Sequence, residues 1–143
     1  MMESIRTVFT PSNVSFMMQG LKLALLISVG VVILSIIFGT VLGLLRNYDK
    51  KVFGKLAGAY IELFRNTPLL LWMLSCSFLI PGSTITLKGS FALFLYTSAV
   101  VAEIVRGGLN SIPKGQFEAA HSQGFSFMQS LWYIVLPQAF KKI

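Results

Sequence analysis

Apolar positions along this chain gather into three long runs, with basic residues crowded into the stretches between them. Leu23 to Leu45 holds 23 residues and no charge. As a helix rising about 1.5 Å per residue it would extend roughly 34 Å, enough for a hydrocarbon core of about 30 Å. Signal-peptide cores are shorter, about 7–15 residues, and a basic cluster follows this run directly, so it predicts a membrane span. Asn66 to Leu87 is a second uncharged run of 22 residues. Pro68 suits its first turn or a kink, and Pro81-Gly82-Ser83 forms a turn signal near its end. The third run, from Gly89 to Val105, carries Glu103 close to one end. The predicted spans are about 23–45, 66–87 and 89–106. Residues Met1 to Gln19 mix Ser, Thr, Asn and Pro with Phe9, Phe16, Met17 and Met18, a pattern that predicts a short interfacial helix before the first span.

The pattern changes after Asn110. Gly115 to Gly124 is the longest amphipathic segment, and its helix would stop at Gly124, a residue suited to positive φ. Pro113 is compatible with a first helical turn. Ser126 and Gln129 have capping-box spacing, so a second short helix is predicted after the glycine corner. The whole loop is placed at about 110–137.

Composition sharpens this reading. Of the 143 residues, 55% are hydrophobic and 12% charged, and the mean hydropathy is +0.74. A soluble domain of this size would carry more charge. The formal charge of +7 could suggest nucleic acid, but the basic residues flank apolar runs instead of sharing a face. Arg46, Lys50, Lys51 and Lys55 crowd the first connection, and Arg106, Lys114, Lys141 and Lys142 follow the third span. The connection between spans two and three holds only Lys88. Positive-inside bias then places the N-terminus outside and the Glu118 loop in the cytoplasm.

Candidate chemistry is sparse. Cys76 is the sole cysteine and His121 the sole histidine, so no metal-ligand cluster is expected and no cofactor is implied. No P-loop, nucleophile elbow or H-E-x-x-H motif occurs, which argues against an enzyme. Two acid–base pairs have i,i+3 spacing, Glu62 with Arg65 and Glu103 with Arg106, and both are expected to be structural. Gly39 and Gly43 form a G-x-x-x-G within the first span that would permit close helix approach; Gly54 and Gly58 repeat the spacing at a boundary.

Glu118-Ala119-Ala120, Gly124 and Ile134-x-Leu136-Pro137 match the "EAA" loop of ABC-importer permeases, E-A-A-x-x-x-G followed by I-x-L-P. Leu63-Phe64-Arg65-Asn66-Thr67-Pro68-Leu69-Leu70, preceded by Glu62, resembles the E-x-F-R-x-T-P-L-L segment of permeases for polar amino acids. Residues 102–116 resemble A-E-x-x-R-G-G-x-x-S-I-P-x-G-Q, and Pro137-Gln138-Ala139 matches the P-Q-A that follows. Val100, Lys22 and Leu23 depart from the subgroup at positions that affect helix packing. The chain thus resembles the polar amino-acid permeases of the histidine, glutamine and glutamate type.

That resemblance implies an all-α, MetI-like type I ABC importer transmembrane domain, with three transmembrane helices plus cytoplasmic coupling helices. It implies that Gly115, Glu118, Ala119, Ala120, Gly124, Leu136 and Pro137 couple to a separate ATPase subunit. The other partners implied are a second permease subunit, an extracytoplasmic solute-binding protein and the lipid of a bacterial inner membrane. Family members continue past P-Q-A, so the resemblance also implies a C-terminally truncated form with the last helices missing. The alternative expectation is a non-transporting membrane fragment or a small partner-binding membrane protein.

Overall fold

The computed structural model describes residues 9–49 and 51–142, and every regular element among them is helical. Helix α1 runs Pro11–Tyr48, α2 Val52–Asn66, α3 Leu69–Leu79, α4 Ile85–Asn110 and α5 Gly115–Ser122. A short α6 (Phe127–Ser130) then passes through a π turn (Leu131–Val135) into α7 (Leu136–Phe140). Among the described residues, α1 and α4 are long and apolar enough to cross a membrane, while α3 is shorter.

The N-terminal boundary differs from expectation. Thr10 caps α1, accepting from the Asn13 N–H at 3.4 Å, and Pro11 occupies its first turn. From there α1 continues unbroken for 38 residues. Residues 11–19 therefore belong to the long helix, which no proline interrupts and which runs through Gly20 into the apolar run. The remainder of the expected interfacial segment, residues 1–8, lies outside the described residues.

The second apolar run is also divided differently. No single helix covers residues 66–87. Pro68 has no N–H to offer the Phe64 carbonyl, so α2 ends at Asn66 and Pro68 stands in extended backbone (φ −56°, ψ 137°) at the head of α3. Helix α3 stops at Leu79, and Gly82 turns the chain with φ +74°. Thr84 then caps α4, accepting from the Leu87 N–H at 3.3 Å, so Ile85 to Leu87 begin the next helix.

Helices α1 and α4 pack along a stripe of small residues. Ser35, Gly39, Leu42 and Gly43 are the buried residues of α1. They meet a face of α4 where Ser98, Ala99, Ala102 and Val105 are buried. A Cβ on Gly39 would lie 2.6 Å from the Ser98 carbonyl oxygen, and one on Gly43 would lie 2.7 Å from that of Ala102. Lipid tails are as apolar as leucine, so burial alone does not drive such contacts; close van der Waals packing does. The G-x-x-x-G of the first span therefore has a packing role. Polar groups fasten α2 to the same face of α4: the Tyr60 hydroxyl donates to the Leu95 carbonyl at 3.0 Å and lies 2.8 Å from Ser98 Oγ. The Tyr60 ring meets Phe38 of α1 edge-on, with centroids 5.9 Å apart.

Candidate functional site: the amphipathic loop and the charge cluster beside it

Beyond α4 the chain turns at Ser111–Lys114 and forms α5. Its end is built by Gly124. With φ +82° at that glycine, the Phe125 N–H reaches the Ala120 carbonyl at 3.0 Å and the Gly124 N–H reaches that of His121 at 2.9 Å. This pair of bonds is a Schellman stop, which satisfies carbonyls otherwise left open at a helix end. Ser126 and Gln129 complete a reciprocal capping box: Gln129 N–H donates to Ser126 Oγ at 3.3 Å, and Ser126 N–H to Gln129 Oε1 at 2.8 Å. The expected second short helix is thus present, but it continues to Phe140. Pro137 removes one N–H from that helix, and the π turn just ahead of it re-registers the backbone bonds.

The hairpin rests on one apolar cluster. Val105, Leu109 and Ile112 meet Leu131, Val135, Leu136 and Ala139, with Leu44, Tyr48, Val101 and Phe117 packed around them. This cluster sorts the loop residues into two groups. Gly115, Glu118, Ala119, Gly124 and Pro137 are exposed, whereas Ala120 and Leu136 are buried at 3% and 5%. Leu136 packs in the cluster against the end of α4, and Ala120 is turned away from solvent.

The second feature is a cluster of five charges where α1, α2 and α4 meet. Arg46 Nη2 lies 2.7 Å from Glu62 Oε1, and Arg46 Nη1 lies 3.3 Å from Glu103 Oε2. Arg65 Nη1 approaches the same Glu103 oxygen at 3.5 Å. Arg106 Nε donates to both Glu103 oxygens at 3.1 Å, and its Nη2 pairs with Oε1. Glu103 and Arg106 pair as their spacing suggests. Glu62 and Arg65 do not pair with each other: Arg46 takes the first and Glu103 engages the second. Arg46 is the residue sequence spacing missed. Its position just after a 23-residue apolar run suggested a boundary anchor, and only the approach of α2 and α4 gives it two carboxylates.

Residues 31–143 match the family described as "binding-protein-dependent transport system inner membrane component". The chain belongs to that family. It is 37% identical over 139 residues to the probable glutamine ABC transporter permease protein GlnP of Bacillus subtilis (strain 168), covering 94% of this chain and 64% of that protein. Identity is 40% over 133 residues with the probable glutamine permease protein GlnM of the same organism, covering 90% and 62%. Among solved structures, an amino acid ABC transporter with histidines aligns with a TM-score of 0.61 and 30% identity, covering 89% of this chain and 64% of that one. This member of the binding-protein-dependent transport family thus has the all-α importer fold and spans a little under two thirds of those relatives. Among the described residues no group of three or more His, Cys, Asp or Glu could hold an ion.

Proposed function

We propose that the chain is the permease part of an ATP-binding-cassette importer for polar amino acids, coupling a partner ATPase to movement of substrate across the inner membrane. The observation that carries this reading is the α5–α6 hairpin. It exposes Glu118 and Ala119 at the surface of a Schellman-stopped corner, while Leu131, Val135 and Leu136 pack against Val105 and Leu109 at the end of α4. Such a knob suits a groove in an ATPase, and the hydrolysis belongs to that separate subunit. The amino-acid permeases among the relatives support the substrate class.

In this reading α1 and α4 each cross the bilayer, and α2 with α3 forms the crossing between them. The N-terminus lies outside and the Glu118 loop in the cytoplasm, as the basic residues at Arg46, Lys51, Lys55, Arg106 and Lys114 favour. A second permease subunit would complete the path, and a solute-binding protein would deliver the cargo from outside. Glu118→Lys reverses the knob's charge, and Gly124→Val forces a β-branched residue into positive φ. Both should abolish uptake in cells expressing the partner subunits, with membrane insertion unchanged. Normal uptake by the two variants would refute the coupling role, and thiol labelling of residue 118 from the outside would refute the orientation.

A further inference from the structure

Tyr48 ends α1, and its ring packs against a pair of phenylalanines of the hairpin. Phe127 meets it edge-on with centroids 5.1 Å apart and planes at 82°; Phe117 does so at 6.1 Å and 69°. The two phenylalanines lie nearly parallel at 6.0 Å. One ring therefore comes from the first long helix and one from each arm of the Gly124 corner. Phe117 immediately precedes Glu118, so the ring triangle sits directly behind the exposed knob. Leu44, Leu45 and Leu131 extend the same apolar contact along α1.

The covalent connections make this contact consequential. Helix α5 follows α4 through a short turn, so movement of the hairpin reaches α4 along the backbone. It is also tied to α7, since Gln138 Nε2 donates to Gln116 Oε1 at 3.1 Å. Helix α1 has no backbone link to the hairpin; besides its packing on α4, it meets the hairpin directly through Tyr48 and the neighbouring Leu44. Aromatic edges and faces have preferred geometries, so a triangle of three rings holds the end of α1 to both arms of the corner more specifically than a single aliphatic contact would. We infer that Tyr48 is the joint through which movement of the α5–α6 hairpin reaches α1. It is a positioning residue for coupling, acting through its ring and not its hydroxyl. The inference rests on the proposed importer function.

The test uses the chain assembled with its ATPase, second permease and solute-receptor subunits in lipid vesicles, with glutamine as the probe. The readout is glutamine taken up per ATP hydrolysed, which a general loss of assembled protein does not change. Tyr48→Ala should lower that ratio roughly fivefold or more, whereas Tyr48→Phe should stay within about twofold of the parent. In a Cys76→Ser background, Tyr48→Cys with Phe127→Cys should be uncoupled until a short bifunctional thiol reagent joins the two positions and restores the ratio. If Tyr48→Ala does not accumulate in the membrane, Phe127→Leu removes the hairpin ring nearest to Tyr48 and is read in the same way. An unchanged ratio in Tyr48→Ala or Phe127→Leu, or a loss in Tyr48→Phe equal to that in Tyr48→Ala, overturns the joint. Absence of ATP-driven uptake in the parent assembly instead overturns the importer reading and the joint with it.

Discussion

Gly39 of α1 sits so close to Ser98 of α4 that a methyl group on the glycine would fall 2.6 Å from the serine carbonyl oxygen and 2.8 Å from Val101 Cβ. The obstruction is backbone and a β-branched side chain, neither of which yields easily. The two longest helices therefore approach at a distance that only hydrogen at this position permits.

Replacing Gly39 with Leu should separate those helices and cost about 1–3 kcal/mol, the range seen for overpacked cores. Gly30 provides the control, because a Cβ there meets nothing within 4 Å. Thermal unfolding of the detergent-solubilised chain should show a lower midpoint for Gly39→Leu and little change for Gly30→Ala. Equal midpoints for the parent and Gly39→Leu would mean that the two helices do not meet at this glycine.

Glu103 and Glu62 should respond very differently to neutralisation. Glu103 is mostly buried, with 21% side-chain exposure, and faces Arg46, Arg65 and Arg106. Glu103→Gln leaves Arg65 and Arg106 without their carboxylate partner and Arg46 with Glu62 alone, and should cost about 1.5–3 kcal/mol, the scale of hydrogen bonds to charged groups. Glu62 is 64% exposed and has one partner, so Glu62→Gln should cost about 1 kcal/mol or less. The same unfolding measurement ranks the two variants, and the reverse order would mean that Glu103 is not the centre of the cluster.

Ser126→Ala deletes the hydroxyl that accepts from the Gln129 N–H. An N-cap loss of about 1 kcal/mol is expected. Hydrogen exchange at the Gln129 amide should accelerate relative to amides in the middle of α4. Unchanged exchange at Gln129 would show that the capping box contributes nothing to local order.

At Gly124 the backbone itself makes the prediction. Its φ of +82° penalises any residue with a Cβ, and β-branched ones most. Gly124→Asn should leave the corner closer to its parent shape than Gly124→Val, since asparagine enters this region more readily. Limited proteolysis between Ala119 and Phe127 should rank them in that order, with Val the most susceptible.

Local chemistry explains why some features were legible in the sequence and others were not. The Gly124 stop and the Ser126–Gln129 box are short-range, so residue type and spacing suffice to find them. The Glu103–Arg106 pair is local for the same reason. The break at Pro68 was visible as a proline but misplaced in consequence, because a run of uncharged residues conceals where one helix ends and another begins. Arg46 and Tyr48 escaped because their partners lie 16 or more residues away, and periodicity carries no information about which distant helix will arrive. The burial of Ala120 is likewise a property of the folded hairpin and not of its spacing. Gly54 falls between these cases: its glycine was noticed, but only the fold reveals that a Cβ there would overlap the Asp49 carbonyl oxygen.

One carboxylate on α4 answers to guanidinium groups from three helices. Should α1 or α2 slide away, the Arg106 partner on its own helix remains, so no anion is stranded in an apolar setting. The junction resembles a mooring post with several ropes: a single line can slacken without setting the vessel adrift, and movement of one helix need not cost the whole tether.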